Sequence, residues 1–151
     1  LRYGPVQQES GTEVGSQEPV SLRVPSSPEY VLLPRLVVSS VGETAGFDSR
    51  DVYDLKLAVT EAVTNVIRHA RVESMLVEYR ALAGVVEVTV ADTGGGFDAT
   101  GTGGDIGESG DESGGFGIAV IRSLVDEMVL DSSEKGTTVR ITRYAAGPGG
   151  S

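Results

Sequence analysis

Between Ser49 and Ala91 the sequence changes its period, and that change limits the possible folds more than any other feature. Up to Val66 the apolar residues Leu55, Val59, Ala62, Val63 and Val66 recur every three or four positions, the stripe of an amphipathic helix. From Ser74 to Ala91 they alternate with other residues across one break at Gly84, the period of two half-buried strands joined by a tight turn. A helix period that gives way to paired strand periods points away from a doubly wound parallel sheet, where strands and helices alternate.

The remaining segments fill in the order. Val20, Leu22 and Val24 predict a strand over Pro19 to Val24. Ser26-Ser27-Pro28-Glu29 supplies a hydroxyl cap, a first-turn proline and an early acid, together a helix start. That helix carries Val31, Leu32, Leu36, Val37 and Val41, breaks near Gly42 to Gly46, and is kinked or delayed by Pro34. The next helix begins at Asp48 or Ser49 and runs to about Ala70. A glycine-rich segment spans Asp92 to Gly115, a third helix is predicted over Phe116 to Asp126, and strands at Met128 to Ser132 and Thr137 to Thr142 close the chain around Glu134-Lys135-Gly136. The expectation is an α+β fold: a two-layer sandwich, with helices covering one face of a mixed, mainly antiparallel sheet.

Residues 1–17, rich in Gly, Gln, Glu and Ser, read as a disordered tail, and residues 145–151 as a flexible one. A single domain is expected over 18–144. There is no stretch of about 20 apolar residues that could span a bilayer, so no membrane partner is expected. The absence of cysteine excludes disulfides and thiolate metal sites and suits a cytoplasmic protein. A net charge of −10 argues against direct nucleic-acid binding. It leaves room for a phosphate held by backbone dipoles, since such a site requires no basic side chain.

Four segments carry chemistry. In Glu61-Ala62-Val63-Thr64-Asn65-Val66-Ile67-Arg68-His69 the polar residues Glu61, Asn65 and His69 fall at i, i+4 and i+8, on one flank beside the apolar stripe. A carboxamide oxygen there suits Mg²⁺, and a carboxylate one turn earlier suits a proton acceptor. A solvated polar flank with a helix-capping histidine is the plainer reading. Asp92-Thr93-Gly94-Gly95-Gly96 follows an apolar strand. Its glycines permit close approach of a ligand to backbone, and Asp92 can accept a hydrogen bond from an exocyclic amine; an ordinary Asp-Gly turn is the alternative. Gly114-Gly115-Phe116-Gly117 leads into a helix, where N–H groups favour phosphate. Gly136-Thr137 opens the last strand and places a hydroxyl within reach of a base edge or a water.

In this order the four segments resemble the motifs of the GHKL (Bergerat-fold) ATPases: the N box at Glu61 to His69, the D-x-G-x-G box at Asp92, Gly94 and Gly96, the G-x-G box at Gly115 and Gly117, and the late pair Gly136 and Thr137. The resemblance covers residues 20 to 143. The neighbourhood Leu55 to Asn65 looks most like the bacterial anti-sigma factor serine/threonine-protein kinases. It implies ATP and Mg²⁺ as cofactors: Asn65 would hold Mg²⁺, Asp92 would bind adenine, and Gly94 and Gly96 would let the purine approach. Gly115 and Gly117 would cradle phosphates, Thr137 would support the adenine end, and Glu61 would be the catalytic base. His69 would lie on the nucleotide side or cap its helix. The implied partners are a sigma factor and an anti-sigma factor antagonist of the STAS type. A homodimer formed through the edge strand near Val20 to Val24 is also implied, in a regulator of stress-response transcription.

The sequence departs from the pattern in one respect. From Asp92 to Ile121 there is no Lys or Arg, while Asp98, Asp105, Glu108, Asp111 and Glu112 crowd the segment where catalytic relatives often place a basic residue. Two alternatives therefore stand beside the kinase: a regulator of the same fold that binds ATP, or only its protein partner, without transferring phosphate, and the catalytic domain of a histidine kinase. Against the histidine kinase, no helical dimerisation segment carrying a phospho-acceptor histidine is apparent, because His69 is the sole histidine and lies in the N box.

Overall fold

A computed structural model describes residues 18–92, 112–133 and 136–145. In chain order these form β1 (Val20–Pro25), a 3₁₀ turn (Pro28–Tyr30), α1 (Leu32–Thr44), α2 (Ser49–His69), β2 (Ser74–Leu82), β3 (Val85–Asp92), α3 (Glu112–Leu124), β4 (Glu127–Ser133) and β5 (Gly136–Tyr144). The tail expected over 1–17 lies outside the described residues, as do Gly94, Gly96 and residues 146–151 of the second tail. Ala145 is described, and its N–H donates to the Gly84 carbonyl at 2.8 Å.

The five strands form one sheet in the order β1-β2-β3-β5-β4, and all four pairings are antiparallel. The last strand thus inserts between β3 and β4. One face is buried: Val24, then Met75, Val77 and Tyr79, then Val86, Val88 and Val90, then Val139 and Ile141. The helices cover that face with the stripe Leu55, Ala58, Val59, Ala62, Val63 and Val66 of α2 at its centre, flanked by Val38 and Val41 of α1 and Ile121 of α3. Each Val, Leu or Ile side chain so removed from water contributes about 1.5–3 kcal/mol, and the alternation along the strands puts the strand residues in one layer. This is the expected α+β two-layer sandwich.

Local chemistry sets the helix ends. Asp48 is extended and its carboxylate accepts from the Asp51 N–H at 2.9 Å, an N-cap that starts α2 where the sequence placed it. The Ser27 hydroxyl instead bonds the Glu29 carboxylate and caps no backbone group, so only a 3₁₀ turn forms at Pro28. The α-helix is delayed to Leu32, which puts Pro34 in its first turn, where a missing N–H costs nothing. On α1 the inward residues are Pro34, Val38, Val41 and Gly42, whereas Leu32 and Leu36 are each 56% exposed.

The third helix differs most from expectation. It runs from Glu112 to Leu124 rather than from Phe116 to Asp126, so Gly114 and Gly115 are helical. Glycine costs about 1 kcal/mol per position in a helix. Packing of α3 against α2 acts in the opposite direction. At the other end, the Asp126 N–H donates to the Thr142 carbonyl at 2.9 Å and so commits the chain to β4.

Candidate functional site

Two groups of the expected residues come together on the helix-covered side. The first lies between α2 and α3. Glu61 and Asn65 are half-buried, one turn apart on α2. Gly117 stands directly against them: a Cβ built there would lie 3.3 Å from Glu61 Oε1 and 3.5 Å from Asn65 Oδ1. Without a side chain at 117, α3 can approach this flank closely. Gly115 lies in the first turn of the same helix. His69 is the last residue of α2 and half-buried.

The second group spans the ends of three strands. Asp92 closes β3 and is only 3% exposed, and Thr137 near the start of β5 is 2% exposed. They are direct cross-strand partners, as are Thr137 and Ser132 of β4. Asp92 shares the parity of Val86, Val88 and Val90, so its carboxyl group turns toward the helices rather than toward the open face. Gly136 has φ +143°, and a Cβ on it would fall 2.5 Å from the Asp92 carbonyl oxygen. Only glycine fits that backbone conformation and that contact. The close approach holds the start of β5 against the end of β3, which keeps Thr137 opposite Asp92.

Ser132 is the residue that sequence reasoning missed. Its hydroxyl lies 3.0 Å from the Thr137 hydroxyl, and either can donate. The signal was the spacing of the last two strands: pairing Ser133 with Gly136 places Ser132 opposite Thr137. The Asp92 row is anchored to the rest of the fold by Met75, its fully buried partner on β2.

At the opposite end of the same strand, β5 is tied to α2 and α3 by one side chain. Arg143 Nη2 bonds Asp51 Oδ1 at 2.7 Å, and Nη1 donates to the Leu124 carbonyl at 2.6 Å and bridges Asp54 Oδ2 at 3.1 Å. The start of α2, the end of α3 and the end of β5 thus share a single guanidinium. Among the described residues, a cleft of about 380 Å³ lies between α1 and α2, lined by Ser39, Glu43, Phe47, Asp48, Ser49, Val52, Tyr53 and Lys56. It includes none of the expected site residues.

Comparison with known proteins agrees with this fold. The model of the histidine kinase-like ATPase domain matches residues 24–143. The serine-protein kinase RsbW of Listeria innocua is 37% identical over 136 residues, covering 83% of this chain and 86% of that protein. The serine-protein kinase RsbW of Staphylococcus aureus is 36% identical over 137 residues, with the same coverage of 83% and 86%. Among solved structures, the RsbU and RsbW domains of a Mycobacterium tuberculosis protein match with a TM-score of 0.64 at 20% identity, over 85% of this chain. That likeness is one of fold, and this chain spans 32% of the length of that solved chain. The matched region takes in β2 through β5 and both clusters, so the chain belongs to the histidine kinase-like ATPase domain family, alongside the serine-protein kinases RsbW.

Proposed function

We propose that this chain is an anti-sigma factor with serine/threonine-protein kinase activity, which binds Mg-ATP and phosphorylates a hydroxyl of an anti-sigma factor antagonist. One observation carries the reading: Gly117 of α3 lies against both Glu61 and Asn65 of α2. A carboxylate, a carboxamide oxygen and a position without a side chain therefore meet at one point on a glycine-bearing helix. In-line phosphoryl transfer needs little more from a protein than positioning and charge stabilisation.

Asn65 offers a hard neutral oxygen, and Mg²⁺ takes only one or two protein oxygens and keeps several waters, so the donor set fits the ion. Bound at Asn65, it would offset charge on the phosphates. Gly115 and Gly117 leave the phosphates room. Asp92, buried at the strand end, accepts from the adenine N6 amine, Thr137 supports the same end of the base, and Gly94 and Gly96 let the purine approach. Glu61 takes the proton of the substrate hydroxyl. The freed oxygen bonds the γ-phosphorus, the bond from that phosphorus to the bridging oxygen breaks, and ADP leaves with the electron pair.

The test is incubation with Mg-ATP and a cognate antagonist. The expected result is phosphoserine or phosphothreonine that disappears in Glu61→Gln while ATP binding persists. Binding without transfer in the unaltered chain supports the second reading, a nucleotide-binding regulator without kinase activity. The absence of Lys and Arg from Asp92 to Ile121 favours that second reading.

The proposed partners are a sigma factor, the antagonist and a second copy of the chain. For the homodimer, the support is the edge strand β1, where Val20 is 47% exposed, together with Leu32, Leu33 and Leu36 of α1 at 56%, 41% and 56%. Exposed apolar side chains within a single helical turn, as Leu32, Leu33 and Leu36 are, mark interaction surfaces. A chain that stays monomeric by light scattering at high concentration contradicts the dimer.

A further inference from the structure

We propose that Ser132 is a positioning residue that turns the hydroxyl of Thr137 into a hydrogen-bond donor toward the purine, and so selects adenine over bases with a different ring edge. The inference rests on the reading that Asp92 and Thr137 receive the adenine end of ATP.

It begins from the row Asp92–Thr137–Ser132, three direct cross-strand partners on β3, β5 and β4. Asp92 and Thr137 are buried, at 3% and 2% exposure, and Ser132 is half-buried on the edge strand. The two hydroxyls are 3.0 Å apart. Each carries one proton and two lone pairs, and the single bond between them consumes one proton. The remaining proton belongs to whichever hydroxyl accepts. When Ser132 donates, the Thr137 proton must point away from it, toward the side where Asp92 lies.

A carboxylate alone is a poor discriminator among purines. It accepts from the N6 amine of adenine, and equally from the N1–H of a guanine or hypoxanthine that shifts slightly. Next to N6 on adenine is N1, an acceptor; in the 6-oxo purines that position carries a proton. A hydroxyl locked as a donor beside Asp92 therefore matches adenine and opposes the others. Ser132 supplies the lock, by filling a Thr137 lone pair from the edge side. Without it, the Thr137 hydroxyl rotates freely, and its proton turns to the vacated edge side as readily as to the ring.

The experiment compares binding of ATP and of 1-deaza-ATP, which keeps N6 but lacks the N1 acceptor, to the full chain and to Ser132→Ala and Ser132→Thr. The unaltered chain should prefer ATP by about tenfold, the size of one well-made hydrogen bond. Ser132→Ala should lose that preference by binding ATP more weakly and 1-deaza-ATP as before. Ser132→Thr, which keeps the hydroxyl on a strand that tolerates β-branching, should restore it. An undiminished preference in Ser132→Ala overturns the inference. So does an equal loss for both ligands, which marks a merely structural role. Failure of the unaltered chain to bind ATP at all instead overturns the nucleotide reading on which the inference stands.

Discussion

Gly136 and Asp92 are in a contact that excludes any side chain at position 136: a Cβ there would lie 2.5 Å from the Asp92 carbonyl oxygen, on a backbone with φ +143°. Two separate penalties therefore attach to one substitution. Gly136→Ala should lower the free energy of unfolding by about 1–3 kcal/mol from backbone strain alone. It should also displace Asp92 and weaken ATP binding. Urea unfolding and calorimetric titration together check this; a variant of unchanged stability contradicts the contact.

Gly117 has the opposite signature. A methyl group there first meets the ends of two movable side chains, at 3.3 Å and 3.5 Å, and alanine is a better helix former than glycine by about 1 kcal/mol. Gly117→Ala should hold or raise the melting temperature while weakening Mg-ATP binding about tenfold or more, because the methyl fills the space beside Glu61 and Asn65. Melting curves set against nucleotide titrations separate the two effects. Unaltered affinity would place the phosphates elsewhere.

Arg143 joins three elements, and one of its carboxylate partners, Asp51, is 2% exposed. Arg143→Met takes the guanidinium away from that buried carboxylate, a change that costs about 3–5 kcal/mol. Converting both partners, as in Asp51→Leu with Arg143→Met, should recover part of the loss, since a buried pair contributes far less than the penalty for breaking it. Denaturant unfolding of the single and double variants measures the difference.

Tyr79 makes stability depend on alkaline pH. Its hydroxyl donates to the Pro34 carbonyl at 3.1 Å inside the core, and burial pushes its pKa well above the usual 10.0. In the unfolded chain the phenol loses its proton near pH 10, while in the folded chain it keeps it. Its stabilising effect is therefore complete below pH 10 and declines as pH rises beyond it, by about 1.4 kcal/mol per pH unit. Tyr79→Phe should lose about 1 kcal/mol at neutral pH from the missing hydrogen bond and show a shallower decline above pH 10. Unfolding midpoints from pH 9 to pH 11.5 test both.

Local rules reached a long way into this protein. Asp48 and the apolar stripe from Leu55 to Val66 determined α2, because a cap and a 3.6-residue period act over a single turn or two. Gly84, at φ +77°, determined the β2–β3 hairpin for the same reason. The resemblance to the ATPase motifs rested in part on residues within such elements, and the family comparison agrees with it. Where local rules conflicted with packing, they misled. Gly114 and Gly115 looked like loop, yet they are helical because α3 packs against α2. Leu32 and Leu36 fit an apolar stripe, yet they face outward because the orientation of α1 is set by Val38 and Val41 beneath it.

The sequence by itself determined the layers, the helix that carries Glu61 and Asn65, and the strand that ends at Asp92. Only the tertiary structure decided which of these residues meet. Glu61 and Gly117 are separated by 56 positions and Asp92 and Thr137 by 45, and no propensity acts across such distances. Their meeting follows from burial of one continuous apolar face, which forces β5 between β3 and β4 and brings α3 onto α2. Ser132 joined the candidate site the same way, through the register of a hairpin whose place in the sheet is set by the whole core.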